Sequence, residues 1–355
     1  MAIPTEPIGS IPRPLPLIEA ARAYRAGHIS EAELRLVYDA AVRETIAQFE
    51  NTGSPIITDG EQAKDSFATY PIRGLDNLSA DGMSIAFADG QIRSLPRLTR
   101  GPFSYRTPAD VYLERAQQYA HVPVKQAIIS ASALSMLYPP NALPAYSREE
   151  YLEAVLNEQE GEIRRCLQRG AHAVQIDFTE GRLSIKLDPT RRLLRSFIDL
   201  NNLVLERFSP EERRRIGVHT CPGADRDSSH SAVVAYAELL PSLFDLQVGR
   251  FYMQLASEPD RPRVLKMVRD HIKPGQYVFV GVIDVLNPRI ETPEEVKQRV
   301  LEAAEYIPLD QLGTTDDCGF APFSDDTSRS RDTAFAKIRA RVLGTQLAAG
   351  ALGVE

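Results

Sequence analysis

The sequence predicts an α/β fold of the (β/α)8 TIM-barrel type, and three observations support this prediction. Short runs rich in β-branched residues alternate with longer helical stretches along the 355 residues, which is the pattern of repeated βα units around a parallel sheet. Polar residues follow the ends of several of these runs, where barrel enzymes place their active sites. No glycine-rich phosphate-binding motif follows the first run, which disfavours a doubly wound nucleotide-binding sheet.

Eight segments have the length and composition of buried strands, and amphipathic stretches separate most of them. The predicted strands are residues 5–10, 55–61, 124–130, 173–178, 216–221, 251–255, 277–284 and 311–320, and the clearest predicted helices are residues 147–169, 231–243, 293–306 and 331–347.

The connection between the second and third predicted strands is unusually long, at about 60 residues. Within it, apolar residues flank the pair Asp89-Gly90, which is a typical hairpin turn sequence. We therefore expect a hairpin inserted after strand 2, which covers the barrel as a lid or wall.

Composition indicates one globular domain over residues 1–355, with 43% hydrophobic and 25% charged residues and no linker-like segment. The net charge is −7 with both signs interleaved, so no nucleic-acid partner is expected. No run of about 18 apolar residues and no signal-peptide pattern is present, so we expect a cytoplasmic protein without a membrane partner. Three cysteines, an odd number, disfavour a disulfide framework.

A histidine and a cysteine stand two positions apart in the fifth predicted strand, as His219 and Cys221. Side chains two apart on a strand face the same way, and Cys318 follows the eighth strand, whose end opens at the same face of a barrel. One imidazole and two thiolates suit zinc and leave a coordination position for substrate. The alternative is an incidental pair of buried cysteines, which is how we interpret Cys166 inside a predicted helix.

A zinc site of this kind keeps a bound thiol as a nucleophilic thiolate, which predicts S-alkylation. Acidic residues near the strand ends could bind a substrate amino group, although helix caps and salt bridges are an equally good explanation for any one of them. The position at a strand end favours Glu61 and Asp177, whereas His230 is expected to cap or orient. The acids considered are Asp59, Glu61, Asp177, Glu180, Asp225, Asp227, Asp316 and Asp317.

Six segments together resemble the cobalamin-independent methionine synthase superfamily, which are zinc enzymes on a (β/α)8 barrel. They are IGSIPRP, TDGE, QID, HTC, GVIDVLNPRIETPEEV and PLDQLGTTDDCGF. The resemblance covers essentially the whole chain and corresponds to the single catalytic C-terminal barrel of the two-barrel synthases. It implies a Zn2+ cofactor held by His219, Cys221 and Cys318, with homocysteine as thiol substrate and a methylated folate as methyl donor.

The resemblance also implies roles for further residues. Ile8 and Ser10 would hold the carboxylate of the amino acid, and Glu61 and Asp177 would bind its amino group. Tyr138 would stack on the pterin, and Asp284 is expected to be catalytic.

The sequence departs from the family at two positions. The fourth zinc ligand of the family is a glutamate, where this chain has Gln254 with Glu258 four residues later, and a histidine that helps to protonate the folate is replaced by Leu286.

Three functions follow from these observations. The first is methyl transfer to homocysteine from a methylated folate or another donor. The second is a zinc-dependent thiol alkyltransferase or lyase that acts on another electrophile, such as an epoxide. The third is a binding protein with a structural metal.

Overall fold

The computed structural model describes residues 3–86, 92–221 and 234–354, and its strands form one large sheet and two small ones. In chain order the strands of these residues are β1 (Leu78–Ser79), β2 (Ser84–Ala86), β3 (Ile92–Ser94), β4 (Arg97–Leu98), β5 (Gln126–Ile129), β6 (Val174–Asp177), β7 (Ile216–Thr220), β8 (Arg250–Met253), β9 (Tyr277–Ile283) and β10 (Leu312–Asp316).

The large sheet has six parallel strands in the order β10-β9-β8-β7-β6-β5. All residues of β5, β6 and β7 are buried, as expected for parallel strands that helices cover on one side. Each of the six strands overlaps one of the predicted strands. Because neighbours in sequence are also neighbours in the sheet, the predicted fold of the (β/α)8 type is confirmed.

The first two predicted strands are extended segments that make isolated bridges. Thr5 bridges Thr314 of β10, and Ile57 bridges Val124 just before β5. The amide of Ile11 donates to the carbonyl of Gly60 at 3.0 Å, so the contacts link all eight segments in cyclic order. The expectation of regular strands here is wrong, because the prolines within residues 4–12 and at residue 55 lack the N–H that a ladder needs.

Helices connect the strands and pack outside the sheet, and several begin at a serine or threonine whose side chain caps the first turn. Reciprocal capping boxes start the helices at residues 31–51, 148–168, 210–213 and 293–304. In the described residues the helices are α1 (Leu15–Arg25), α2 (Glu31–Asn51), α3 (Asp110–Gln117), α4 (Ala131–Ser135), α5 (Arg148–Gln168), α6 (Glu180–Leu187), α7 (Arg192–Leu205), α8 (Pro210–Arg213), α9 (Tyr236–Leu243), α10 (Arg261–His271), α11 (Pro293–Ala304) and α12 (Arg331–Leu352).

The predicted helices agree with this assignment. Residues 147–169, 293–306 and 331–347 overlap α5, α11 and α12, and the described part of residues 231–243 contains α9. Cys166 is fully buried in α5, which confirms its predicted place in the core. Among the described residues, no helix is both long and apolar enough to cross a bilayer.

The predicted hairpin after the second segment is present as the antiparallel pair β2 and β3, with Ile85 opposite Arg93. Its turn at Asp89-Gly90 lies outside the described residues. Arg93 forms an ion pair with Asp325, in the loop after β10, and its guanidinium lies 4.1 Å from the ring centre of Phe323. The hairpin is therefore tied to the loop that follows Cys318.

Candidate active site

A cavity of about 450 Å³ opens at the carboxyl ends of the strands. Its lower wall comes from the strand ends, and its upper wall includes the hairpin residues Ile85, Ile92 and Leu95. This is the place where barrel enzymes bind their substrates. Seven of the residues selected from the sequence line it, namely Ile8, Ser10, Glu61, Asp177, His219, Cys221 and Cys318.

The structure brings the imidazole of His219 and the thiols of Cys221 and Cys318 together on one side of the cavity. One ligand atom from each residue lies within 4.8 Å of the other two, and the two Sγ atoms are 2.6 Å apart. Both cysteines are free thiols, and all three residues are buried. The three side chains could therefore hold one metal ion.

The orientation of His219 fits this role. Its Nδ1 lies 3.2 Å from the backbone carbonyl oxygen of Tyr252 and can donate to it, which directs Nε2 toward the thiols. Nε2 is buried and has no hydrogen-bond partner among the described residues. A buried polar atom without a partner is costly, and a metal ion at this position would satisfy it.

Burial also changes the acidity of the metal-binding group. Burial, together with the hydrogen bond and the charge of Cys221, raises the pKa of the Cys318 thiol well above its usual range. Burial lowers the pKa of His219, but the hydrogen bond and charge of Cys221, the charge of Asp177 and the carbonyl of Tyr252 together more than offset this, so the net direction is upward. The Cys318 thiol thus needs a cation in order to ionise beside Cys221.

The two residues considered for a fourth metal ligand are engaged elsewhere. Gln254 accepts a hydrogen bond from Arg182 at 3.2 Å through Oε1 and donates to Ser257 at 2.8 Å through Nε2. Glu258 forms an ion pair with Arg182 at 3.3 Å. Within residues 3–86, 92–221 and 234–354 the metal-binding group therefore consists of three side chains. Asp225, Asp227 and His230 lie outside the described residues.

Two carboxylates line the cavity near the metal-binding group, those of Glu61 and Asp177, and Asp177 is the neighbour of His219 in the sheet. Glu61 has a left-handed backbone with φ of 55°, and its carboxylate accepts from the ammonium of Lys64 at 3.0 Å. Burial raises the pKa of Asp177 to about 7, and the nearby charge of Glu61 adds to this effect while that of His219 opposes it. A bound cationic group would relieve this repulsion between two buried acids.

The segment around Ser10 supplies hydrogen-bonding groups. The hydroxyl oxygen of Ser10 accepts from the amide of Ala321 at 3.2 Å, which leaves its O–H able to donate to a ligand. The amide of Ile8 points to the carboxylate of Asp316 at 3.4 Å. Ser10 is thus better placed than the Ile8 amide to bind a carboxylate.

Glu180 is a cavity residue for which the sequence indicated no preference between a ligand contact and a structural role. It is the first residue of α6, and its Oε1 accepts from the hydroxyls of Ser130 and Ser132. Its Oε2 is buried without a hydrogen-bond partner in the described parts of the chain, and burial raises the pKa of Glu180 to about 7. Its position three residues after Asp177 is the feature of the sequence that could have identified it as a site residue.

Tyr138 and Asp284 are not among the described residues that line the cavity. The hydroxyl of Tyr138 donates to the carbonyl of Tyr146 at 2.7 Å, within its own loop. The carboxylate of Asp284 accepts from the amides of Leu286 and Asn287 at 2.9 and 3.3 Å, so it organises the turn after β9. The geometry thus does not support the expected pterin contact or the expected catalytic role.

Comparisons with known proteins agree with this picture. A family model described as "Cobalamin-independent synthase, Catalytic domain" matches residues 3–342. A methionine synthase of Sulfurisphaera tokodaii is 25% identical, over 97% of this chain and 92% of that protein. A methionine synthase of Sulfolobus acidocaldarius is 24% identical, over 89% of this chain and 85% of that protein. The solved structure of a B12-independent methionine synthase from Shewanella sp. W3-18-1 in complex with selenomethionine has a TM-score of 0.79 at 21% identity, with 100% of both chains covered. That structure shares the fold.

Proposed function

The chain belongs to the family of cobalamin-independent synthase catalytic domains, and on that premise we propose that it transfers a methyl group to the sulfur of homocysteine with zinc as cofactor. The observation that carries this proposal is the group formed by His219, Cys221 and Cys318 at the base of the cavity. We further propose that residues 1–355 act as one domain whose partners are two small molecules, a thiol and a methyl donor.

Zinc is the proposed metal because one nitrogen and two sulfur donors are typical of its catalytic sites, which keep a fourth position open. When bound, zinc would supply a Lewis acid that keeps a substrate thiol ionised at neutral pH. The protein residues hold their donor atoms in place for it, since the carbonyl of Tyr252 fixes the imidazole of His219.

The acceptor is proposed to be an amino acid thiol because the cavity beside the metal-binding group suits an α-amino acid. Asp177 and Glu61 would receive the ammonium group, and Ser10 would donate to the carboxylate. The homologous structure from Shewanella contains selenomethionine, the selenium analogue of the product of this reaction. An amino acid held in this way would direct its sulfur toward His219 and the two cysteines.

The donor is proposed to be a methylated folate, with another methylated amine as the alternative. During transfer a sulfur–carbon bond forms, a nitrogen–carbon bond breaks, and the leaving nitrogen takes up a proton. Glu180 would supply that proton, because burial raises the pKa of its carboxyl to about 7, so that part of it is protonated at neutral pH, and because it lines the cavity. Apolar residues of the cavity would contact the donor, namely Phe67, Ile92, Leu95, Met136, Leu183 and Phe323.

The first test is the zinc content of the purified protein, measured by elemental analysis together with the zinc K-edge absorption spectrum before and after addition of homocysteine. One equivalent of zinc whose shell gains a sulfur supports the proposal. Protein that binds no zinc under any loading condition contradicts it.

The second test is a substrate panel, which separates methyl transfer from the alternative reaction with an epoxide. Formation of methionine from homocysteine and methyltetrahydrofolate supports the proposed pair. Turnover of homocysteine with a different methyl donor would support the proposed acceptor and would contradict methyltetrahydrofolate as the donor. No turnover of homocysteine with any donor, together with thioether formation from an epoxide, would favour the alkyltransferase.

A further inference from the structure

A continuous series of buried polar side chains leads from the cavity to the amino end of the sheet. The carboxylate of Asp177 accepts from Nε2 of Gln175 at 2.8 Å. Oε1 of Gln175 accepts from the ammonium of Lys125 at 2.7 Å. That ammonium lies 3.8 Å from the carboxylate of Glu6 and 3.8 Å from the ring centre of Tyr252. The series therefore connects Glu6, at the amino end of the sheet, with Asp177 in the cavity.

The two middle members of this series are shut off from solvent, since Lys125 and Gln175 are both 0% exposed. Placing an ammonium group in the interior is costly unless its hydrogen bonds are made. Nonpolar side chains of similar size would fill this space without that cost. Packing alone therefore does not explain the presence of a lysine at this position.

The contacts with Lys125 fix which way the amide of Gln175 points. Burial lowers the pKa of Lys125 to about 7, and the charge of Glu6 opposes this shift. The charged form of Lys125, an ammonium group, only donates, so it selects the oxygen of the Gln175 amide. The amide nitrogen must then face Asp177, which acts as the acceptor. One oxygen of Asp177 is thereby held, and its other oxygen remains for a ligand in the cavity, which Asp177 lines.

We propose that Lys125 and Gln175 are positioning residues, which hold the carboxylate of Asp177 so that it selects an acceptor thiol carrying an amino group. The proposal rests on the proposed function, in which Asp177 receives that amino group. Lys125 acts through Gln175 and does not itself line the cavity. Its effect is therefore specific for ligands with an amino group.

The test compares two thiols that bind to zinc-loaded protein, homocysteine and 4-mercaptobutanoate, which has the same chain but no amino group. Dissociation constants are measured by isothermal titration calorimetry for the native protein and for Lys125→Met. The substitution is expected to weaken homocysteine binding about tenfold, the effect of one charge-assisted hydrogen bond. Binding of 4-mercaptobutanoate is expected to change by less than about twofold.

A double substitution shows whether Lys125 acts through Asp177. In an Asp177→Asn background, adding Lys125→Met should change homocysteine binding by less than about twofold, because coupled residues are not additive. His172→Gln is the matched control, since His172 contacts Glu6 at the other end of the series at 3.0 Å. It should leave the ratio of the two dissociation constants unchanged.

Three results would overturn the inference. The first is an equal loss of binding for both thiols, which would indicate a general structural effect. The second is a full tenfold loss in the Asp177→Asn background. The third concerns Gln175→Met, which is used if Lys125→Met does not fold, because it removes the same link and leaves the Lys125–Glu6 contact in place. In that variant, an unchanged ratio of the two dissociation constants would overturn the inference. Native zinc-loaded protein that binds neither thiol would instead overturn the proposed function, and the positioning role with it.

Discussion

The carboxyl end and the amino end of the sheet both contain buried carboxylates, yet their surroundings differ. At the amino end, Glu6 accepts from Arg250 at 2.5 Å, from Tyr252 at 2.6 Å and lies 3.0 Å from His172. Burial alone would raise the pKa of Glu6, but its hydrogen-bonding and cationic partners lower it to about 2. At the carboxyl end, burial prevails, and the pKa values of Asp177 and Glu180 both rise to about 7.

The difference separates a structural cluster from a site that is ready for a ligand. The buried groups at the carboxyl end include polar atoms without a partner in the described residues, such as Nε2 of His219 and Oε2 of Glu180. Both oxygens of Glu6 have partners. Perturbed buried acids in a cavity indicate function, whereas an acid whose partners all come from the chain indicates stabilisation.

The largest expected effect is at the carboxyl end, where Cys318→Ser should remove the metal. We expect less than about a tenth of the zinc content of native protein, and methyl transfer to fall by about a hundredfold or more, because losing even a group that only supports a ligand costs 10- to 100-fold. Elemental analysis and an activity assay measure these two effects.

The matched control for Cys318→Ser is Cys166→Ser, which changes a buried thiol in α5 away from the cavity. It should retain zinc and activity. Thermal unfolding decides between a catalytic and a structural metal. If Cys318→Ser loses its fold together with its zinc, the metal is structural. The carboxyl end would then no longer differ from the amino end as a functional site.

At the amino end, Glu6→Gln should lower the free energy of unfolding by about 3 kcal/mol near neutral pH. The folded-state pKa of Glu6, about 2, lies below its ordinary value of 4.5. Its stabilisation is therefore complete above about pH 4.5 and is lost as the pH falls toward about 2. The difference between native protein and Glu6→Gln should shrink by about 1.4 kcal/mol between about pH 6 and about pH 3.5.

Urea unfolding at a series of pH values measures this effect. A difference that stays constant over that pH range would mean that the charge of Glu6 is not what stabilises the amino end. Zinc content of the folded variant should remain at the native level, since Glu6 does not line the cavity.

The fold was predictable where local pattern and tertiary structure agree. Residues 216–221 and 277–284 combine β-branched residues with strand length, and they form β7 and β9. The first two segments share the apolar composition of a strand, but prolines remove their ladder donors and Gly60 has φ of +65°. Their place beside β10 and β5 depends on contacts across the whole chain, which no local window contains.

The site was predictable to the extent that it follows strand geometry. The spacing of His219 and Cys221 and the strand-end position of Cys318 indicated the group that the structure assembles, and the family resemblance favoured it over an incidental pair of buried cysteines. Lys64 was missed, because its importance comes from contacts with Glu61 and with the carbonyl of Ala127, 63 positions away. The same holds for Lys125, which meets Gln175 across 50 positions. Such contacts have no periodicity in sequence.

A third prediction concerns Glu180, for which stability and activity should change in opposite directions. Its folded-state pKa of about 7 lies above its ordinary value of 4.5, so the folded state binds the proton more tightly and stability falls as the pH rises from about 4.5 to about 7. Glu180→Gln resembles the protonated form and keeps an oxygen for Ser130 and Ser132. It should be more stable by as much as about 3 kcal/mol at about pH 8, and by under about 1 kcal/mol at about pH 5.

Activity of Glu180→Gln should fall about a hundredfold with an amine donor, the usual contribution of a general acid. The pH dependence of unfolding and the methyl-transfer rate are measured on the same variant. Glu162→Gln is the matched control, because the pKa of Glu162 is also raised to about 7 by burial, but it bonds Tyr70 away from the cavity. An equal loss of activity in both variants would contradict the acid role of Glu180.

The smallest expected effect concerns the hairpin that covers the carboxyl end. Arg93 and Asp325 form a partly exposed ion pair, 22% and 59% exposed, so Arg93→Met should change the free energy of unfolding by under about 1 kcal/mol. This ion pair includes no residue at the amino end of the sheet. Any kinetic effect of Arg93→Met should therefore be confined to the cavity. We expect the KM for the donor to rise about threefold, because the upper wall of the cavity is held less firmly, at a cost within the range of one surface ion pair.

Arg97→Met, which removes the neighbouring ion pair of Arg97 with Asp81, controls for a general loss of surface charge and should leave that KM unchanged. A rise in the KM for homocysteine as large as that for the donor would show that the hairpin covers the acceptor as well, and that the two substrates are not divided between the lower and upper walls.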